Sequence, residues 1–145
     1  MEKANNVNEE KFINKTKNMA KSKTKAGYVD GFVLSVPKKN TAKYKKMAQD
    51  AGKVWKRFGA LDYKECMIDD KKPQLVTFTF PKMAKAKPNE AVWFSFIVYK
   101  SRAHRDSVNK KVMAYFEKKY GKDKMDMPFD MKRMAYAGFK VVVDA

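Results

Sequence analysis

The stretch from Val92 to Tyr99 constrains the fold more than any other part of the sequence. All of its residues except Ser95 are apolar or aromatic, which is typical of a strand buried on both faces. Lys100 ends the apolar run, and Ser101 can cap a helix that follows. At helical spacing, one face of that helix is formed by His104, Val108, Val112 and Tyr115. The stretch therefore predicts a central strand followed directly by a helix.

A second strand–helix unit precedes this one in the chain. Tyr28–Val36 predicts a strand that ends at Pro37, because proline cannot donate to a strand ladder. Either Asn40 or Thr41 can cap the next helix, and Gly59 is typical of a helix C-terminus. Between these ends the apolar residues keep a period of about 3.6, typical of an amphipathic helix. The stripe consists of Tyr44, Met47, Ala48, Ala51, Val54, Trp55 and Phe58.

The order of the predicted elements indicates the architecture. Leu61–Ile68 and Met134–Val143 predict two further strands, Leu75–Phe80 predicts a short edge strand or an extended arm, and Lys82–Glu90 predicts a lysine-rich loop. Strand, helix, strand, strand, helix, strand predicts an α+β fold, the ferredoxin-like βαββαβ sandwich, whose antiparallel sheet carries two helices on one face. We expect residues 27–145 to form this single domain and the polar residues 1–26 to be a disordered tail.

The apolar character of both strand faces predicts an oligomer. In the central strand, Val92, Phe94, Phe96 and Val98 point one way, and Trp93, Ile97 and Tyr99 point the other. The first and last predicted strands have apolar residues on both faces as well, although Gly138 and Lys140 interrupt one face of the last. Two helices cover only one face, and a soluble monomer rarely exposes so large an apolar surface. We therefore expect a homodimer that joins through the other sheet face.

The chain of 145 residues carries a formal net charge of +17. Such an excess can attract nucleic acid or an anionic membrane surface. Its lysines are spread over every segment, however, which is more typical of a solvated surface, and we favour that interpretation. No apolar run approaches the roughly 18 residues of a membrane span, so we expect no membrane association through a spanning helix.

Cys66 is the one cysteine and His104 the one histidine of the sequence. A single chain therefore forms neither an intrachain disulfide nor a closed zinc site, which needs about four ligands. This cysteine usage is typical of a reducing compartment and predicts a cytoplasmic protein. The sequence has no glycine-rich phosphate loop and no HExxH or GxSxG motif, so it predicts neither a metal nor a cofactor. It leaves open whether the chain is an enzyme.

Four residues are candidates for a catalytic role: His104, Asp30, Glu65 and Tyr99. His104 lies in the first turn of its predicted helix, where it could be a general base or a haem ligand; a packed or capping histidine is commoner, and we favour it. Asp30 lies within an apolar strand, where it could be a catalytic acid if its pKa is raised by burial. We favour a structural ion pair of Asp30 with Arg133 or Arg102.

The other residues of interest lie on the second predicted strand, at a helix N-terminus and among the tryptophans. Glu65 shares a strand side with Tyr63, and Cys66 faces the other way, where we expect it to be a small core residue. Arg102 and Arg105 flank a helix N-terminus and could bind a carboxylate or a phosphate, although a solvated pair is commoner. Trp55 and Trp93 are most simply core residues, and Trp93 is a weak ligand-binding candidate.

Several separate segments resemble one family. YVDGFVLSVP, GKVWKRFGALDYKEC, FSFIVYKSRAHRDSVNKKVM and MPFDMKRMAYAGFKVVVDA occur in this order between Tyr28 and Ala145. Together they are similar to the YbaA-like family of uncharacterised bacterial proteins. That family resembles the dimeric α/β-barrel superfamily, in which two ferredoxin-like sheets pack face to face. The resemblance implies the same fold and a dimer, but no activity and no site residues, because the superfamily includes enzymes and proteins without catalysis.

Two functional hypotheses follow. In the first, the chain binds or transforms a small molecule in a pocket between sheet and helices, lined by His104, Asp30, Glu65 and Tyr99. In the second, it is a basic, non-specific nucleic-acid-binding protein, because the same strand order occurs in RNA-recognition domains whose sheet aromatics stack on bases. A dimer joined through the sheet would remove that stacking surface, so we favour the first hypothesis.

Overall fold

Four strands form one antiparallel sheet in the computed structural model, which describes residues 10–11, 25–122 and 126–145. They are β1 (Tyr28–Pro37), β2 (Asp62–Met67), β3 (Glu90–Tyr99) and β4 (Ala135–Lys140), and their order across the sheet is β2-β3-β1-β4. The two long strands β1 and β3 pair along their whole length, from Tyr28 opposite Tyr99 to Pro37 opposite Glu90. The predicted double-sided central strand is thus at the centre of the sheet.

Helices connect the strands that are not neighbours. Helix α1 (Thr41–Arg57) follows β1 after a short 3-10 turn, and α3 (Arg102–Tyr120) follows β3, while the single-turn α2 (Phe80–Met83) precedes β3. A second 3-10 turn, Met131–Arg133, leads into β4. The prediction of an α+β fold with an antiparallel sheet is therefore confirmed.

Both long helices contribute to one core on one side of the sheet. Val54 of α1 and Val108 and Val112 of α3 form a buried cluster with Tyr28, Ile97 and Tyr99 of the sheet. We call this side the helical face. It comprises the even-numbered residues of β1 and the odd-numbered residues of β3, which include the buried Trp93 and Ser95.

Among the described residues, no long helix packs on the other side of the sheet. Its side chains alternate with those of the core, as a pleated strand requires. Phe94 is 43% exposed between the buried neighbours Trp93 and Ser95. We call this side the open face and define it by Val29, Val33, Phe94, Phe96, Val98 and Phe139.

The predicted N-cap Ser101 and the predicted C-terminal Gly59 are confirmed, whereas Asn40 at the start of α1 makes no side-chain capping hydrogen bond. The Ser101 hydroxyl accepts a hydrogen bond from the His104 backbone N–H at 3.1 Å, so Ser101 is the N-cap of α3. Gly59 and Gly121 follow the last turns of α1 and α3 with φ of 114° and 77°, a conformation that glycine adopts without steric strain.

Two predicted strands differ from the structure. Leu75–Phe80 pairs with no described strand: Leu75 is fully exposed, and Thr79 caps α2, whose first turn holds Pro81. The last strand ends at Lys140 rather than Val143, because its partner β1 begins at Tyr28, which lies opposite Lys140. Beyond that point a single backbone bond, from Val141 N–H to the Gly27 carbonyl at 3.1 Å, continues the pairing.

The predicted disordered tail, residues 1–26, lies outside the described residues apart from residues 10–11 and 25–26. Within the described ranges, no helix combines the length and the apolar character that crossing a bilayer requires.

Candidate functional site

A cavity of about 580 Å³ lies between the helical face of the sheet, α1, α3 and the loop that leads into β4. This volume is within the range of small-molecule sites, which is about 300–1,000 Å³. Its walls are mainly aromatic, with rings contributed by Phe32, Tyr44, Trp55, Tyr63, Phe116 and Phe129.

Methionines line much of the remaining wall. Five of the described lining residues are Met47, Met113, Met127, Met131 and Met134. Methionine is unbranched and polarisable, so it fills irregular space and adapts to apolar ligands of different shape. This lining favours an apolar ligand body.

The strand register brings a few polar side chains onto this mainly apolar wall. Glu65 lies opposite Ser95, Ser95 opposite Phe32, and Phe32 opposite Tyr136, so these four residues form one row across the helical face. The next row holds Tyr63, Ile97 and Asp30. Three carboxylates line the cavity: Glu65 and Asp30 come from strands separated by β3, and Asp50 of α1 is paired with Lys46 at 2.9 Å.

Glu65 is held by two phenols. The Tyr44 hydroxyl donates to Glu65 Oε2 at 2.8 Å, and the Tyr63 hydroxyl donates to Glu65 Oε1 at 2.8 Å. Burial, followed by the charge of Glu65, raises the pKa of both tyrosines above the ordinary value, so both keep their protons and act as donors. The carboxylate is thus fixed in orientation, and each oxygen retains lone pairs for a further donor.

Asp30 has a charged partner instead. Its side chain is 1% exposed, and Arg105 Nη1 donates to Asp30 Oδ1 at 2.7 Å. The same Nη1 is 2.7 Å from the Tyr136 hydroxyl. Burial opposes the positive charge of Arg105, but the hydrogen bond to Asp106 and the charge of Asp30 outweigh it and raise the Arg105 pKa. Arg105 therefore keeps its positive charge beside the Asp30 carboxyl group.

Asn109 connects these groups to the core. Its Oδ1 accepts hydrogen bonds from Trp55 Nε1 and from the Tyr99 hydroxyl, both at 3.0 Å. Its Nδ2 is 3.5 Å from Asp30 Oδ2. One amide of α3 thereby satisfies polar atoms from α1 and β3, and it fixes the Trp55 ring in the cavity wall.

Of the four residues predicted to line a pocket, Asp30 and Glu65 line the cavity and His104 and Tyr99 do not. Tyr99 is fully buried in the core behind Asn109. His104 Nδ1 accepts a hydrogen bond from the Lys100 backbone N–H at 3.0 Å. Burial and the charges of Lys100 and Lys111 lower the His104 pKa, which keeps the ring neutral for this bond. Its position is that of the capping histidine favoured above.

The three residues predicted to bind a ligand have different positions. Arg102 is exposed at the start of α3, and Trp93 is buried in the core with its Nε1 lacking a partner among the described residues. Arg105 reaches the cavity wall through its bonds to Asp30 and Tyr136.

Three details of the sequence interpretation were wrong. Asp30 pairs with Arg105, not with Arg133, which binds Glu90 at 2.7 Å, nor with Arg102. Arg105 is also not a solvated surface residue, because its side chain is only 12% exposed. Cys66 is exposed rather than part of the core, because its strand side is the open face.

Sequence reasoning missed Tyr44 and Asn109 as site residues. Tyr44 was read as one member of the apolar α1 stripe, yet a buried tyrosine hydroxyl needs a hydrogen-bond partner. Glu65 was the available acceptor, two residues from Tyr63 on the same strand face. That pairing of tyrosines with one carboxylate was the signal that could have identified the site.

No group of three or more histidine, cysteine, aspartate or glutamate side chains suited to a metal ion occurs in the described part of the chain. The polar atoms of the cavity are instead carboxylates, phenols and amides that are already joined by hydrogen bonds. Chemically, the site offers a mainly apolar volume with one fixed anionic acceptor.

These features define an α+β protein with an aromatic cavity between an antiparallel sheet and its helices. Residues 27–131 match the family described as "Protein of unknown function (DUF1428)". Two curated relatives, each called "Uncharacterized protein YbaA", come from Escherichia coli K12 and Shigella flexneri. Each is 43% identical over 118 residues, which cover 81% of this chain and 97% of the relative. The chain therefore belongs to the DUF1428 family, and the predicted membership of a YbaA-like bacterial family is confirmed.

Among solved structures, the chain is similar to "De novo designed protein Foldit4". The match has a TM-score of 0.37 at 8% identity and covers 81% of this chain and 99% of the other.

Proposed function

We propose that this chain is a cytoplasmic homodimer of the dimeric α/β-barrel type that binds a small molecule in the cavity of each protomer. The observation that carries the proposal is the cavity itself: about 580 Å³, walled by aromatic and methionine side chains, with a fixed carboxylate on its surface. Small-molecule sites have this composition, a mainly apolar wall with a few placed polar groups.

The ferredoxin-like part of the proposal is supported by the strand order. In that fold, α1 joins the first strand to the second across the third, and a second long helix joins the third strand to the fourth across the first. The order β2-β3-β1-β4, with α1 between β1 and β2 and α3 between β3 and β4, matches this arrangement.

The homodimer is supported by the open face. Phe94 and Phe139 are 43% and 57% exposed there, beside the partly exposed Val29, Val33 and Phe96. Next to Phe94, the α2 region presents Phe78 and Phe80, also largely exposed. A two-fold partner would bury both areas, and a specific interface of roughly 1,600 Å² would suffice for stability.

Native mass spectrometry of the protein purified from cells tests both parts at once, since it reports stoichiometry and any retained ligand. Binding is tested separately with Nile red, a neutral apolar fluorophore, and an Ala51→Trp variant that fills the cavity. Ala51 lines the cavity, whereas Ala42 is exposed on the same helix, so Ala42→Trp is the matched control. We expect Ala51→Trp to abolish binding and Ala42→Trp to preserve it. Equal binding by both variants would refute the cavity as the site.

The open face also favours a second candidate function, non-specific nucleic-acid binding. Exposed aromatics on a sheet can stack on bases, and the net charge is +17. Binding by charge alone should weaken steeply, by roughly 10³-fold or more, between about 50 and 200 mM salt. Salt-sensitive, non-selective binding by a monomer would favour this function over the cavity, whereas sequence-selective binding that persists at high salt would indicate base recognition on the open face instead.

A further inference from the structure

Glu65 differs from the other carboxylates that are shielded by the fold. Asp30 is paired with Arg105, and Glu90 is paired with Arg133 at 2.7 Å. Within the described residues, no cationic side chain lies within 4.0 Å of Glu65. Its partners are the neutral hydroxyls of Tyr44 and Tyr63. The anion on the cavity wall thus lacks the positive charge that its counterparts have.

Glu65 is partly buried, so water solvates its charge less well than that of an exposed carboxylate, and a ligand that supplies a positive charge gains an interaction there. Both Glu65 oxygens still have free lone pairs, whereas the tyrosine hydroxyls that flank them are engaged as donors. The rings beside the carboxylate, Tyr44, Tyr63 and Trp55, present π faces that attract cations. The remaining wall is apolar and favours a hydrocarbon or aromatic body.

We infer that the ligand class of this cavity is an apolar amine, whose ammonium group binds the Glu65 carboxylate between the Tyr44 and Tyr63 hydroxyls while its apolar part fills the methionine- and aromatic-lined volume. The inference rests on the proposed small-molecule function and adds the ligand's charge. The ammonium group must also bind despite long-range repulsion, because a chain of net charge +17 attracts anions and repels cations.

The test uses the full-length protein and three ligands of matched shape: 4-phenylbutylamine, 4-phenylbutan-1-ol and 4-phenylbutanoate. Affinities are measured by calorimetry at neutral pH and 150 mM salt, which screens the long-range field. We expect the amine to bind about tenfold or more tightly than the alcohol, the gain of one charge-assisted hydrogen bond, and the carboxylate to bind most weakly. This wild-type ratio needs no variant and is unaffected by folding defects.

The Glu65→Gln variant locates the preference. Glutamine keeps the size and an acceptor but removes the charge, so the amine should lose about tenfold in affinity while the alcohol stays within about twofold. Asp62→Asn is the matched control: the same charge is removed from the same strand, on the other sheet face. We expect its amine affinity to equal that of the wild type.

The outcomes separate the two claims. Equal affinity of wild type for amine and alcohol, or an amine preference that survives Glu65→Gln, overturns the amine inference and leaves the cavity function standing. Absence of binding by all three ligands and by Nile red overturns both. Tighter binding of 4-phenylbutanoate than of the amine would overturn the inference in favour of an anion site.

Discussion

The two faces of the sheet differ in the chemistry of their side chains. On the helical face, Asp30 and Ser95 are buried beside Glu65, and named partners satisfy the carboxylates. On the open face, the central residues are apolar, and the charges of Lys64 and Asp62 lie at the β2 edge. Placed polar groups distinguish one small ligand from another, whereas an apolar surface specifies mainly the shape and area of what covers it.

The largest effect should come from a charge on the open face. In a sheet-to-sheet dimer, Phe94→Asp places an unpaired carboxylate in the interface twice, once from each protomer. We expect insoluble or unfolded protein, measured as soluble yield and by analytical ultracentrifugation.

Met67→Asp is the matched control for this variant. Met67 lies on the adjacent strand and is 52% exposed, but it belongs to the helical side of the sheet. The Met67→Asp variant should remain soluble with the stoichiometry of the wild type. If Phe94→Asp instead gave a well-folded protein with unchanged stoichiometry, the open face would not be an interface, and the proposed difference in role between the two faces would be refuted.

The second prediction concerns the polar pairs of the helical face. Arg105→Ala leaves Asp30, 1% exposed, without its cation, and breaking a buried pair from one side costs about 3–5 kcal/mol. Urea unfolding should show a loss of this size in the free energy of unfolding. Arg102→Ala, an exposed arginine one turn earlier on α3, should change it by less than about 0.5 kcal/mol. Similar losses for both variants would mean that the buried pair is energetically unimportant.

A smaller effect is expected at His104, where the helical face meets the start of α3. His104→Ala removes the acceptor for the Lys100 N–H and should cost about 0.5–1 kcal/mol, as other capping losses do. Because burial and the nearby lysines lower the His104 pKa, the unfolded chain binds a proton at higher pH than the folded one. The contribution of His104 to stability is therefore complete above about pH 6.5 and is lost as the pH falls below it.

The pH dependence supplies the check. His104 is the only histidine, so the wild type should lose stability between about pH 7 and 5.5 relative to His104→Ala. Chemical denaturation at several pH values measures the difference. A difference that stays constant over this range would contradict the lowered pKa.

The smallest effect is expected from deleting residues 1–26. Their sequence has few apolar residues to bury, and β1 starts after them at Tyr28. The melting temperature and the stoichiometry of the wild type should both remain nearly unchanged. A drop of several degrees would indicate that this segment covers the open face in place of a second copy.

The sequence predicted the alternation of the sheet well because one residue's shift would reverse every side chain of β1 and β3. It did not predict that Arg105 rather than Arg133 reaches Asp30, because that depends on where α3 lies over the sheet, and helical periodicity defines only the apolar stripe. Of the two forms predicted for Leu75–Phe80, the edge strand does not occur: its apolar residues have strand propensity, but no described strand of the sheet pairs with them.

The strand order also bears on how the chain folds during synthesis. β1 is made first, yet both strands that pair with it, β3 and β4, come much later, with Tyr99 opposite Tyr28. At about 5–20 residues per second, the ribosome leaves β1 and α1 without their sheet partners for several seconds. Distant pairings of this kind slow folding. The nascent amino-terminal half, with the apolar run of β1 exposed, is therefore the form of this protein with the greatest need of a chaperone.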